Sequence, residues 1–523
     1  MSLPEDFSKK LRTSRLNRRR FAVSAAAGTA AIVAGSRGVR AQSPATPASA
    51  DSIPIADGLK LTTVATGLNA PRFITIEGST VYFTESGSGG DTPIFGTPAV
   101  GTPVAPGSLS QSGRTGKLSS LAADGTVTAI VKDFFSYTFG AHGEIVGAAG
   151  LALDGAGRAY VAVGAPGPYI SSIALSGEED VVFEVELATG AKKVIADIGR
   201  YEITSNPDPV AIDSNLYGAA FADGILYVAD AGGNTVYGVT VATGEFQPFA
   251  VTGGIEAAFL PPSGNPLRAG AREIDSVPSG VAIGPDGKIY VGFVTGGPFP
   301  AGLAPVYAYA PDGTRSVFAT GLTMIGGLAF SSDGTLYATI ISTDFLKQAP
   351  GMLVRVGADG NHKVIVDNLI VPAGLAFDAD DNLYLANKST GFPGGGELLK
   401  YAGVTKVAGS PLVIRGSSSA PSASPAASPA AQAAELVAIE MMDVKFNTTE
   451  ISIPAGTDVT FTFENKGALQ HDFTIDSPPL SSGTLASGET ATLKVNVPAG
   501  AYTYYCSQIG HRQAGMLGTL TAR

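Results

Sequence analysis

The feature that most constrains the fold is a segment of about fourteen residues that recurs along the first four hundred. It reads small-Gly-Leu-Ala-Phe, then a turn with Asp or Gly, then an aromatic-rich strand. The copies are GLALDGAGRAYVAV (Gly150 to Val163), GAAFADGILYVADAGGN (Gly218 to Asn234), GVAIGPDGKIYVGF (Gly280 to Phe293), GLAFSSDGTLYATI (Gly327 to Ile340) and GLAFDADDNLYLAN (Gly374 to Asn387). A degenerate sixth runs from Phe73 to Thr84. Each predicts two alternating strands around a tight turn. A second strand pair follows, as in Val306 to Ala319 and Phe183 to Ala196. Four strands per repeat, six times over, predicts a six-bladed β-propeller, because such units bury their faces only against one another. Tyr82, Tyr160, Tyr227, Tyr290, Tyr337 and Tyr384 occupy equivalent positions and are expected to pack between blades.

Composition agrees with an all-β chain: 67 Gly and 34 Pro among 523 residues, with only 15% charged, suit many short strands joined by turns. The sharpest break is Gly416 to Ala434, an uncharged Ser/Pro/Ala tract that reads as a flexible linker. Expected domains are therefore a propeller over 51–415, a linker over 416–434 and a compact β domain over 435–523. Residues 1–41 read as a twin-arginine export signal: Asn17-Arg18-Arg19-Arg20-Phe21, an apolar stretch from Ala22 to Gly35, then Val39-Arg40-Ala41. The predicted location is periplasmic, cell-surface or extracellular, with membrane association only if this signal is not cleaved. Nine of the 34 Lys/Arg and two of the 45 Asp/Glu lie in it, so the remainder carries a net charge of −18. Such a surface excludes nucleic acid as a partner.

The single cysteine cannot form an internal disulfide, so it is a buried apolar group or a ligand. Its neighbours favour the ligand. A strand, Ala501 to Tyr505, ends at Cys506, and the loop after it, CSQIGHRQAGM, adds His511 and Met516. His471 approaches from a separate strand. One thiolate, two imidazoles and a thioether suit one type 1 copper ion that shuttles between two oxidation states. Only His142 and His362 remain, so no three-histidine centre or trinuclear cluster can be assembled. One cysteine likewise excludes a binuclear dithiolate centre.

Two resemblances add to this reading. Through Leu216-Tyr217-Gly218 and Tyr227 to Asn234, residues 55–401 resemble six-bladed NHL-like propellers, most closely the ScyD/ScyE-like family named for scytonemin biosynthesis. That implies a fold and leaves the activity open. Residues 435–523 resemble cupredoxins of the plastocyanin and auracyanin kind, which implies a Greek-key sandwich with His471, Cys506, His511 and Met516 as copper ligands. Where that family often has Asn after the first His and Pro before the Gly of the second, this chain has Asp472 and Ile509.

The function expected is one-electron transfer between a donor and an acceptor, each a protein or a small molecule, with the propeller as docking or ligand-binding module. One alternative is a propeller oxidoreductase that passes substrate electrons to copper, for which His142 is the obvious candidate base. Another is a copper storage or delivery protein. Glu85, Asp230, Asn234 and Asn387, near equivalent strand ends, are read either as ligands for a divalent ion in the central channel or, for Asp230 and Asn234, as turn formers.

Overall fold

The computed structural model describes residues 58–94, 110–139, 144–165, 177–210, 212–260, 262–265, 268–345, 349–390, 393–413, 436–442, 445–467, 471–475, 480–485, 488–506 and 516–523. The predicted export signal, His142, the tract 416–434 and His511 lie outside them. The chain divides into two compact units, with the division between Ser419 and Ala420.

Each repeat of the first unit folds as the turn chemistry requires. Asp154, Asp286, Asp333 and Asp378 accept backbone N–H bonds from residues two or four places on, which closes the turn between paired strands. The innermost strands of the four-stranded antiparallel groups are Pro71–Glu77, Glu144–Leu153, Leu216–Ala222, Pro278–Ile283, Ile325–Phe330 and Leu375–Phe377. Each neighbours the next, and the last neighbours the first, so they form a closed propeller-like ring. The final group borrows its outer strand from the start of the chain: Lys60–Leu68 pairs antiparallel with Gly396–Ala402. In one place the groups merge, because Val127–Phe139 also pairs with Glu144–Leu153.

The repeated tyrosines join successive groups. Tyr160 stacks on Phe221 of the next group with ring centroids 5.6 Å apart, Tyr290 meets Phe330 edge-on at 4.9 Å, and Tyr337 meets Phe377 at 5.1 Å. Tyr227 packs on Phe249 of its own group, in a cluster that includes Ile283 of the next. Tyr82 and Tyr384 likewise sit in clusters that span two groups. Such aromatic contacts add about 0.5–1.5 kcal/mol each beyond the area they bury.

The second unit is a sandwich. One sheet orders Lys445–Phe446, Leu436–Met442, Val459–Asn465 and Thr490–Val495; the other orders Glu450–Ile453, Leu517–Ala522, Gly500–Tyr505, Thr474–Ile475 and Leu480–Ser481. One pairing in each is parallel. Alternation in Val459–Asn465 sends Val459, Phe461, Phe463 and Asn465 inward. Phe461, Phe463, Phe473 and Tyr504 fill the space between the sheets, Phe473 stacked on Tyr504 at 4.8 Å. Among the described residues, no helix is long and apolar enough to cross a membrane.

One helix, Ile198–Ser205, is capped by Asp197, whose side chain accepts the N–H of Arg200. It carries the fully buried Glu202, which accepts a hydrogen bond from the Tyr237 hydroxyl at 3.2 Å. Burial first, and the negative charge of Asp230 second, push the Glu202 carboxyl up to about 8. Asp230 itself is pushed up to about 6 by burial, against hydrogen bonds from Asn215, Gly233 and Ser214. A carboxyl that keeps its proton in the fold and loses it on unfolding stabilises most at low pH. Its contribution falls as pH rises from the ordinary 4.5 to about 8. The unfolding midpoint should therefore decline from pH 5 to pH 8, Glu202 supplying a slope of about 1.4 kcal/mol per pH unit. In Glu202→Gln, calorimetric scans across that range should show a flatter dependence; an unchanged slope would refute the assignment.

Candidate metal centre

The end of the sandwich brings three of the four predicted ligands together. Tyr505 and Leu517 are the last paired residues of their strands, and the ladder continues one step further, where Cys506 N–H donates to Met516 C=O at 3.0 Å. The two ends of the ligand loop are thus clamped side by side. His471 is fixed by a reciprocal backbone pair with Leu485, at 3.1 and 2.8 Å. Leu485 C=O also accepts the side-chain amide of Asn465 at 2.8 Å, and Asn465 Oδ1 accepts Gly467 N–H at 2.9 Å. Asn465 therefore braces the strand end that carries the histidine.

His471, Cys506 and Met516 are fully buried. His471 Nδ1 stands 3.9 Å from Cys506 Sγ. Bonds of the length found at zinc, about 2.0 Å to imidazole and 2.3 Å to thiolate, opened to a trigonal angle would separate these atoms by about 3.8 Å. The pair therefore fits around one ion. Asp472 N–H points at Cys506 Sγ at 3.4 Å, and a donor on sulfur favours the thiolate, the form that binds metal. The Asp472 carboxylate, also buried, accepts the hydroxyl of Thr474 at 3.0 Å. Soft sulfur donors with imidazole select copper over the hard cations. His511 lies outside the described residues.

The propeller candidates do different work. Glu85, Asp230 and Asn387 each end a second strand, and each accepts a backbone N–H from the loop before the inner strand of its own group: from Asn69 at 2.7 Å, Asn215 at 2.8 Å and Ile370 at 2.9 Å. Asn234 does more than form a turn. Its amide donates to Asp208 and Asp275, and Arg268 joins the same carboxylates at 2.9 and 2.6 Å. Asn234 Oδ1 accepts Val277 N–H, tying the loop to the next inner strand. Among the described residues, no group of three or more His, Cys, Asp and Glu side chains is placed to hold a metal ion. His362 is structural: Nδ1 accepts Gly357 N–H at 3.2 Å and Nε2 contacts Thr320 C=O at 2.7 Å, which fits the Nε2–H tautomer.

Fold and buried donor set together define a cupredoxin-type domain. Residues 417–522 match the family model of the cupredoxin-like domain. Among solved structures, the chain is similar to reduced auracyanin from the photosynthetic bacterium Roseiflexus castenholzii (21% identity, 18% of this chain and 99% of that one, TM-score 0.16). It is also similar to auracyanin A, described as a "blue" copper protein, from Chloroflexus aurantiacus (24% identity, 17% and 99%, TM-score 0.15). A third similarity is to a gluconolactonase from Xanthomonas campestris (14% identity, 69% and 98%, TM-score 0.40). No curated protein matches the chain.

Asn465 was not singled out in the sequence, yet a signal exists: it is a polar residue at an inward position of an alternating strand. Asn465→Ala would leave Gly467 N–H and Leu485 C=O with one fewer partner in a buried site. A loss of about 2–3 kcal/mol is expected in denaturant unfolding of the intact protein; a loss under about 0.5 kcal/mol would show that the brace does not matter.

Proposed function

We propose that this chain is an exported blue-copper electron carrier in which His471, Cys506, His511 and Met516 hold one copper ion. The observation that carries the reading is the buried pair of His471 Nδ1 and Cys506 Sγ at 3.9 Å, with a backbone N–H on the sulfur, inside a cupredoxin-type sandwich. Copper, when bound, supplies the one-electron couple. The protein's part is to keep the donors still. Leu485 and Asn465 hold the strand end of His471, and the Cys506–Met516 backbone bond holds both ends of the loop. Complete burial of the three described donors keeps water from them. A donor set that does not move between oxidation states exchanges electrons with little reorganisation.

In this reading the domains are 51–415, 416–434 and 435–523, the first 41 residues direct export, and the propeller serves as a docking or ligand-binding module. The electron donor and acceptor are separate molecules.

Titration of Cu(II) into the purified protein should produce an intense visible thiolate-to-copper band that saturates at one copper per chain. Cys506→Ser should abolish the band, whereas Met516→Leu should keep it and raise the reduction potential. Colour retained in the Cys506 variant would sink the ligand assignment. Rapid loss of copper to chelators without reversible electrochemistry would favour storage or delivery instead.

A further inference from the structure

The ring of inner strands contains a buried cation that electron transfer does not use. Arg72, the second residue of Pro71–Glu77, is 7% exposed. Its Nε donates to the Ser86 hydroxyl at 3.0 Å, Nη1 to the Tyr217 hydroxyl at 3.4 Å and Nη2 to Ile145 C=O. The Tyr217 ring lies 5.6 Å from the guanidinium and is itself held edge-on by Phe73 at 5.3 Å. All these partners are neutral. The carboxylate of Glu85, one residue before Ser86, is turned to Asn69 N–H and lies 3.7 Å from Lys117. Among the described residues, Arg72 makes no ion pair. Arginine stays charged at any pH a protein meets, and a buried charge is costly unless something counters it.

Beside the guanidinium is a cavity of about 40 Å³, lined by Arg72, Ser86, Val146, Gly147, Asn215 and Tyr217 among others. These residues lie at the starts of three successive inner strands, or in the loops beside them, so the cavity sits where three groups meet. One water needs about 10–15 Å³ by this measure, so the space takes about three water-sized groups. That is closer to the size of a carboxylate than to that of a tetrahedral phosphate. The wall is rich in donors. A guanidinium has five N–H groups, and the three bonds above leave two. The Tyr217 hydroxyl accepts from Arg72, so its own proton is directed elsewhere, and Asn215 adds a polar side chain to the wall.

The geometry points to a binding site for the carboxylate of a small organic acid, with Arg72 as its counter-ion and the Tyr217 hydroxyl as a second donor. One N–H remains on each of Nη1 and Nη2, the two nitrogens of a fork with which arginine can take both oxygens of a carboxylate. A chloride ion would satisfy the charge but not that fork.

Calorimetric titration of the purified full-length protein with sodium acetate, against sodium chloride and sodium phosphate at equal ionic strength, tests this directly. Acetate should bind saturably at one per chain, and neither chloride nor phosphate should compete at similar concentration. Tyr217→Phe leaves Arg72 in place and should weaken acetate binding about tenfold in a variant that still folds, its unliganded melting midpoint lowered only by the loss of the one bond from Arg72. Absence of a saturable acetate signal, equal competition by chloride or phosphate, or wild-type affinity in Tyr217→Phe would each overturn the assignment.

Discussion

The first unit depends on a pairing between its two ends. Strand Lys60–Leu68 supplies the outer edge for Gly396–Ala402, and without it the last group would present an unpaired edge and the ring would be closed only by packing of its inner strands. Closing a loop of more than three hundred residues is entropically costly, but that cost grows only slowly with length, so one well-packed strand can meet it. Packing at the junction is tight. A Cβ on Gly396 would lie 2.4 Å from Pro71 Cδ, so only glycine lets the closing sheet approach the first inner strand. Arg72 follows Pro71 directly, which places the donor-lined cavity beside this closure.

A similar economy operates in the sandwich. Neither Cys506 nor His471 lies inside a long strand; Cys506 sits where a ladder ends and one further backbone bond includes it, and His471 is held by an isolated bridge to Leu485. The sheets are stabilised by buried aromatic rings, and the donors inherit that rigidity through backbone bonds rather than through side-chain packing of their own. The inward Asn465 is the exception that proves useful, since it carries the rigidity of Val459–Asn465 across to Leu485.

Much of this was legible in the sequence because it is local. The paired strands, their Asp turns and the inter-group tyrosines follow from alternation and turn chemistry within about fourteen residues, and the Cys506, Met516 and His471 grouping follows from spacing on recognisable strands. What was not legible is non-local. Nothing within Lys60–Leu68 says that its partner lies more than three hundred residues away. Asn234 reads as a turn residue, yet its amide reaches two carboxylates that also bind Arg268, a network assembled from three separate loops. Nothing in Pro71-Arg72-Phe73 marks Arg72 as buried; its partners Ile145 and Tyr217 come from the next two groups.

Asp472 illustrates how structure refines a departure noted in the sequence. The bond to the cysteine sulfur comes from the backbone N–H, so exchanging a side-chain amide for a carboxyl leaves that bond intact. The side chain instead accepts the hydroxyl of Thr474, two residues along the chain. What differs from an amide at this position is therefore a buried carboxyl group beside the donor set, and the contact to the cysteine sulfur is left to the backbone.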